Sequence, residues 1–137
     1  CYSPIQMTKA TGRTWRVPQD YKEINDAVIA ASPGDTILVY NGTYSPFTVD
    51  KHVTIKAVEN AIISGGYIDL RASCIIEGFK ILCSIGSRYA PARPIIRLKN
   101  NYIKGDISIR FVKSVFIENN IISHQRLAGD LRHVDSG

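Results

Sequence analysis

Two short segments of the chain combine core-forming isoleucines with outward-facing charged residues. In the segment from Ile68 to Arg71, alternation along a strand points Ile68 and Leu70 toward a core and Asp69 and Arg71 toward solvent. The segment 107–110 repeats this pattern and also ends in arginine. Guanidinium groups bind carboxylates and sulfates through paired hydrogen bonds, and a tyrosine ring can stack on a sugar. We therefore predict a ligand-binding surface with unpaired charges, formed by both segments and a nearby loop: Asp69, Arg71, Arg88, Tyr89, Arg93, Arg110 and Lys113.

The net charge of the chain fits this surface but has other readings. The charge is +5, and a basic surface suits an acidic polysaccharide, a nucleic acid or a membrane surface. We do not expect a nucleic-acid partner, because no recognised nucleic-acid-binding module accompanies the charge. No apolar run is long enough to span a membrane. The alternative to binding is a solvated face whose arginine stems cover apolar surface.

A recurring four-residue line supplies the elements that must position these side chains. The lines are Val53–Lys56, Cys74–Glu77, Ile96–Lys99 and Val115–Glu118, with first residues 21, 22 and 19 apart. Each alternates apolar and outward residues, as a strand does. A repeat of about 20 residues made of short strands and polar corners is typical of a solenoid. We therefore predict an all-β parallel β-helix of about five coils, with three short strands in each coil.

The segments before and after the coils differ in pattern from the repeat. Residues 1–19 are predicted to be an N-terminal arm with a possible strand at Thr14–Val17. Residues 20–33 should form an amphipathic helix that covers the open end of the solenoid, with Asp20 and Glu23 as a capping box. The coils should occupy residues 34–124, with a loop at 84–94, and residues 125–137 should form a tail or a partial final coil. The whole chain of 137 residues forms a single domain in this prediction.

Equivalent residues of adjacent coils should stack into rows about 4.8 Å apart. The ends of the recurring lines predict a ladder of alternating charge, in which opposite charges favour correct register. Paired asparagines at two successive corners predict a stack of side-chain amides at left-handed bends. We interpret both rows as structural: Lys56, Glu77, Lys99 and Glu118 in the first, and Asn100, Asn101, Asn119 and Asn120 in the second.

The cysteines and histidines predict no metal site. The chain has three of each, and their spacing matches no zinc site. Cys74 falls on an inward strand position and should be a small core residue. Cys1 and Cys83 have the option of pairing, but nothing in the sequence decides it.

The opening of the chain resembles a known group of proteins. Residues 20–44, followed by Val53–Ala57 and Cys74–Phe79, resemble the start of pectin-lyase-like right-handed parallel β-helices. The helix, the Pro-Gly-Asp-Thr-Ile turn and the Gly-Thr-Tyr corner are most similar to the alginate lyase and chondroitinase B family. The resemblance covers about half of the chain and implies a right-handed, single-stranded β-helix. It also implies β-elimination on uronate-containing polysaccharide, with a basic Lys and an Arg beside a bound calcium.

A complete lyase site is not expected here. No position matches the catalytic motifs of that family, so the catalytic residues are unknown. A base could be sought in Lys113, His124 or an arginine, and calcium ligands in Asp69 and Asp106. Calcium takes six to eight oxygens, which two carboxylates do not supply. We therefore expect no cofactor, with calcium relevant only if the chain is a lyase.

Three functional hypotheses follow from the sequence. The first is a small module that binds acidic polysaccharide and is extracellular, on a cell surface or on a virion. The second is a polysaccharide lyase. The third is a structural spike or cement module without a ligand, which would assemble as a homo-oligomer such as a trimer or within a larger surface array.

Overall fold

The alternating segments of the sequence form parallel strands that stack coil upon coil. A computed structural model of the chain describes residues 12–87, 94–109 and 112–122, and the backbone of 127–129. These residues form a β-solenoid of about five turns in which all the sheets are parallel, with a short helix near the N-terminus. The predicted all-β, parallel β-helix architecture is therefore confirmed.

In chain order, the described elements are β1 Thr14–Val17, α1 Ile24–Ala30, β2 Thr36–Val39, β3 Gly42–Tyr44, β4 Thr48–Val49, β5 Val53–Ala57, β6 Ala61–Leu70, β7 Cys74–Glu77, β8 Lys80–Ser87, β9 Ile95–Lys99, β10 Tyr102–Ile103, β11 Ile107–Ile109, β12 Ser114–Glu118, β13 Ile121–Ile122 and β14 Leu127–Gly129. Within the described ranges these strands form two sheets. Sheet I has the order β1-β2-β5-β7-β9-β12 and contains the recurring lines. Sheet II has β6 and β8 at its centre, with β3 and β4 on one side and β10, β11, β13 and β14 on the other.

Sheet II is more continuous than the sequence suggested. Three separate strands were expected in each coil, but β6 runs unbroken from Ala61 to Leu70, with a register shift between Ser64 and Tyr67. β8 also passes the predicted loop start at residue 84, and 84–87 are strand. Ser84 pairs with Tyr67 and Ile85 with Ile68, so pairing to β6 extends the strand into that segment.

The core lies between the two sheets as columns of stacked aliphatic residues. In sheet I the register aligns Ile37, Ile55, Ile76, Leu98 and Ile117, each fully buried. Burying one such side chain contributes about 1.5–3 kcal/mol. These columns hold the coils together and leave the alternate residues of every strand facing outward.

The helix α1 covers the N-terminal end of the stack, as predicted, but through different contacts. Its buried residues are Ile24, Ala27 and Val28. The expected capping box is wrong, because the N-cap is Glu23 and no side chain caps the helix. Asp20 Oδ2 instead accepts a hydrogen bond from Arg16 N–H at 2.8 Å.

Two side chains of this region close the edge of sheet II. Glu23 Oε1 accepts from Ser45 N–H at 3.1 Å, and Asn25 Oδ1 accepts from Thr48 N–H at 3.1 Å. They take the place of the carbonyl acceptors that a further coil would supply.

The ends of the described chain belong to the stack. Part of the predicted N-terminal arm is β1, which pairs with β2 as the first strand of sheet I. In the predicted tail, Leu127–Gly129 forms β14 and pairs with β11, as a partial final coil would. Among the described residues, no helix has both the length and the apolar character needed to cross a membrane.

Candidate functional site

The structure describes three members of the predicted binding surface. Asp69 lies in β6, Arg71 follows it, and Lys113 precedes β12. The other predicted members lie outside the described residues, as does His124: Arg88, Tyr89, Arg93 and Arg110.

Asp69 and Arg71 form an ion pair, so the prediction that the charges of this row are unpaired is wrong for these two. Arg71 Nε donates to Asp69 Oδ2 at 2.8 Å, while the arginine side chain stays 47% exposed and that of the aspartate 10%. Asp69 was expected to face solvent but is buried. Because Arg71 lies two residues further along the same face, it can fold back over the carboxylate.

The neighbours of Asp69 in the sheet are small. Its register partners are Thr48 on one side and Gly86 on the other. A side chain at Gly86 would collide with the Tyr67 hydroxyl and the Ser108 carbonyl. This narrow site encloses the carboxylate, whose Oδ1 is buried and has no hydrogen-bond partner.

The pairing leaves most of the guanidinium available to a ligand. Only Nε of Arg71 is engaged, and its two terminal nitrogens have no partner among the described residues. Asp69 therefore positions Arg71, and the free edge carrying the terminal nitrogens can bind an anion in bidentate fashion. Lys113 is exposed, and its backbone N–H donates to Pro94 O at 2.8 Å.

Sheet II also carries a second cationic cluster that the sequence analysis missed. Lys80 and Leu82 face outward from β8, and Tyr102 and Lys104 face outward on the next coil. We call these four residues the tyrosine patch. The signal was present in the sequence, because alternation in the segments 80–82 and 102–104 places all four side chains on the outer face.

The charged ladder lies on sheet I in the predicted register. Lys56 is the partner of Glu77, Glu77 of Lys99, and Lys99 of Glu118. Nevertheless, no nitrogen–oxygen contact within 4.0 Å joins these side chains in the described part of the chain. The row therefore alternates in charge without close ion pairs, and Glu77 instead accepts a hydrogen bond from Asn100 Nδ2 at 3.5 Å.

The asparagine corners divide two tasks between neighbouring residues. Asn100 and Asn119 both have φ of 57°, the left-handed conformation that glycine or asparagine adopts most easily. The following residues, Asn101 and Asn120, are buried and hydrogen-bonded from coil to coil.

Each buried amide closes the backbone of its neighbours. Asn101 Oδ1 accepts from Phe79 N–H at 2.9 Å, and its Nδ2 donates to Ile76 O at 2.9 Å. Asn120 repeats this one coil later, accepting from Asn101 N–H at 2.8 Å and donating to Leu98 O at 2.7 Å. These bonds satisfy the corner groups that leave the sheet ladder.

Asp35 performs a similar task at the first coil and was not singled out from the sequence. Its carboxylate accepts from Ser32 N–H and Arg13 N–H at 2.8 Å and from Trp15 Nε1 at 2.9 Å. Burial acts to raise the pKa of Asp35, but these three hydrogen bonds and the charge of Arg13 outweigh it and lower the pKa below its ordinary value.

A shallow cleft on sheet I is the other concave surface to consider. It has a volume of about 200 Å³ and is lined by His52, Ser73, Cys74, Ile75, Ile95 and Arg97. The guanidinium of Arg97 lies 4.3 Å from the ring centroid of Phe116. Ser73 Oγ accepts from Ile95 N–H at 2.9 Å. The serine and arginine thus already serve the sheet itself.

The cysteine thiols are not poised for chemistry. Burial raises the pKa of Cys74 to about 12 and that of Cys83 to about 11. Both are therefore protonated at neutral pH, and the thiolate is the nucleophile and metal ligand. Cys83 is a free thiol inside β8, and its suggested partner, Cys1, lies outside the described residues.

Comparisons with known proteins leave the assignment to the geometry. In the described ranges, no group of three or more His, Cys, Asp or Glu side chains is arranged to hold a metal ion. No protein-family model matches the chain, and no curated protein or solved structure is found to be similar to it.

Proposed function

We propose that this chain is a small parallel β-solenoid module that binds acidic polysaccharide through the outer face of sheet II, outside the cytoplasm or on a virion. The observation that carries the proposal is Arg71, which Asp69 holds by Nε alone while its terminal nitrogens remain open. A fixed guanidinium with a free edge suits a carboxylate or sulfate group, because both nitrogens can donate to one anion.

The surroundings of Arg71 add positive charge. The strands of sheet II align Leu70 with Ser87 and Ser87 with Ile109. In the sequence, Arg71, Arg88 and Arg110 each follow one of these aligned positions. A row of cations repeating once per coil would match a polymer that carries one negative charge per repeat, and a net charge of +5 favours its approach.

The resemblance of residues 20–44 to alginate lyase and chondroitinase B agrees with this ligand class. Those enzymes act on uronate-containing polymers. We propose binding rather than cleavage, because the argument from Arg71 concerns recognition of an anion and assigns no base.

The proposal can be tested by calorimetric titration with polygalacturonate, alginate, dextran sulfate and neutral dextran. We expect binding to the acidic polymers alone, and weaker binding at high salt because exposed charges are screened. Arg71→Ala should lower the affinity about tenfold or more, since a hydrogen bond to a charged group contributes about 1.5–3 kcal/mol.

The matched control is Lys56→Ala, which removes an exposed cation from sheet I. It should leave the affinity nearly unchanged. Absence of binding to every acidic polymer would contradict the proposal, as would equal losses for Arg71→Ala and Lys56→Ala.

A further inference from the structure

The tyrosine patch has properties that the solenoid fold does not require. Register pairs Lys80 with Tyr102 on adjacent strands, and Lys80 Nζ lies 5.8 Å from the Tyr102 ring centroid. Leu82 and Lys104 lie two residues further along the same outward face, and Leu82 is 38% exposed. An aromatic ring, an aliphatic side chain and two ammonium groups thus share a small area of strand surface.

The charges of the patch are not balanced locally. No carboxylate oxygen of the described residues lies within 4.0 Å of either lysine. On sheet I, by contrast, each Lys of the ladder has a Glu as its register partner. The fold can therefore place opposite charges on neighbouring coils, and on this face it does not.

The apolar surface of the patch continues past its edges. The outward column that contains Lys80 and Tyr102 also contains Ile62 and Ile121. Ile121 is 59% exposed. A face with exposed apolar surface next to unbalanced cations is suited to a ligand that has both an apolar side and a negative charge.

We propose that the tyrosine patch is a second subsite for an anionic sugar residue. The Tyr102 ring and Leu82 would contact the C–H face of the sugar, and the ammonium groups of Lys80 and Lys104 would bind its carboxylate or sulfate. Cation–π contact with Tyr102 holds the Lys80 ammonium beside the ring. This subsite rests on the proposed function and extends it to a part of sheet II where no binding residue was predicted.

A sugar fits these residues better than single-stranded nucleic acid does. Sites for single strands combine a basic groove with aromatic rings on which successive bases stack. The outward column Thr43, Ile62, Lys80, Tyr102 and Ile121 contains a single aromatic residue. Aliphatic neighbours on both sides of the tyrosine offer contact to C–H groups instead.

The test uses the intact chain, with oligogalacturonate, dextran sulfate, neutral dextran and single-stranded polydeoxythymidine as probes. Tyr102→Leu keeps an apolar side chain but removes the ring and should weaken oligogalacturonate binding about fivefold to tenfold, the range expected for lost ring contacts. Lys80→Gln with Lys104→Gln should weaken it by at least as much and reduce its salt dependence. The matched control is Lys56→Gln with Lys99→Gln, which removes the same charge from sheet I and should change affinity little.

Arg71→Ala, measured in parallel, separates the two proposals. If Arg71→Ala weakens binding while both patch variants bind like the wild type, the subsite is overturned and the proposed function stands. If the wild type binds no acidic glycan, both are overturned. If the patch variants lose polydeoxythymidine binding and keep glycan binding, the patch is a nucleic-acid contact and the subsite is again overturned. Equal loss on oligogalacturonate and dextran sulfate supports recognition of charge, and loss on oligogalacturonate alone supports recognition of a uronate; each supports the subsite. Circular dichroism must show that every variant keeps the wild-type fold.

Discussion

The outer faces of sheets I and II use charge in different ways. On sheet I, Lys56, Glu77, Lys99 and Glu118 alternate in sign from coil to coil. On sheet II, the tyrosine patch carries two lysines without a nearby carboxylate among the described residues, and Arg71 keeps its terminal nitrogens open. Both faces belong to the same stack of coils, so the fold alone does not explain the difference.

This contrast separates residues that maintain the coils from residues available to a partner. The polar groups of sheet I and its corners find their partners within the chain, and the buried amides of Asn101 and Asn120 are fully used. Substitutions there should change stability, whereas substitutions on the outer face of sheet II should change binding.

The largest expected effect is on the buried asparagine stack. Asn101→Ala would leave the Phe79 N–H and the Ile76 carbonyl without partners inside the protein. Each buried unsatisfied group costs about 1–3 kcal/mol, so we expect a loss of about 3 kcal/mol in the free energy of unfolding. Urea denaturation followed by circular dichroism measures it.

The neighbouring residue provides the control for that experiment. Asn100 is exposed and left-handed, and Gly78 stands at the equivalent corner with φ of 84°. Asn100→Gly should therefore change the free energy of unfolding by no more than about 0.5 kcal/mol, because glycine adopts this conformation readily. Equal losses for Asn100→Gly and Asn101→Ala would contradict the division of tasks at these corners.

The next effect concerns Asp35 and has a defined pH dependence. Hydrogen bonds lower the pKa of Asp35 in the folded chain, so its stabilisation is fully present above the pKa of the unfolded chain, near the ordinary 3.8, and is lost as the pH falls through the lower folded-state pKa. We expect Asp35→Asn to cost about 2 kcal/mol at neutral pH, from mismatched donors in a buried site.

Thermal unfolding between neutral and acidic pH measures this dependence. The difference between wild type and Asp35→Asn should be constant down to about pH 4 and shrink below it. A difference that grows toward acid would contradict the assigned direction of the pKa shift.

Several of these features could be read from the sequence, and others depend on contacts that no local pattern encodes. The spacing of Val53, Cys74, Ile96 and Val115 predicts the coils and the register of the ladder, because a fixed period allows few ways of stacking. The asparagine corners follow from the same repeat. Alternation within the short segments 80–82 and 102–104 also predicts the tyrosine patch once the strands are placed.

The burial of Asp69 could not be predicted in the same way. Alternation places Asp69 on the outer face, but its burial depends on Gly86 lying opposite and on Arg71 folding back over it. Likewise, the bonds from Asp35 to Arg13, Trp15 and Ser32 join segments on either side of α1. The capping box failed because the fold uses Glu23 at the edge of sheet II.

A smaller effect should follow from loosening Arg71 without removing it. Asp69→Ala deletes the carboxylate that holds Nε, so the guanidinium must lose more side-chain freedom when it binds. We expect affinity for polygalacturonate to fall about threefold, or ~0.7 kcal/mol. Calorimetric titration checks this, and Thr48→Ala, at the register partner of Asp69, is the control. Unchanged affinity in Asp69→Ala would remove the positioning role of Asp69.

The smallest effect is expected on the sheet I ladder. Glu77→Gln leaves Lys56 and Lys99 on either side of a neutral residue, but the pairs are not in close contact. We expect a loss of about 0.3 kcal/mol, which should shrink at high salt. Urea denaturation at two salt concentrations measures it. A loss above about 1 kcal/mol would show that the ladder stabilises the coils more strongly than its geometry indicates.

The most direct test of the central claim is a map of ligand-induced amide chemical-shift changes in the isotope-labelled chain titrated with oligogalacturonate. Binding on sheet II predicts changes that concentrate at Arg71, Lys80, Leu82, Tyr102 and Lys104. The ladder residues Lys56, Glu77, Lys99 and Glu118 should stay in place as internal references. Changes centred on the ladder of sheet I, or no saturable change at any residue, would contradict the account.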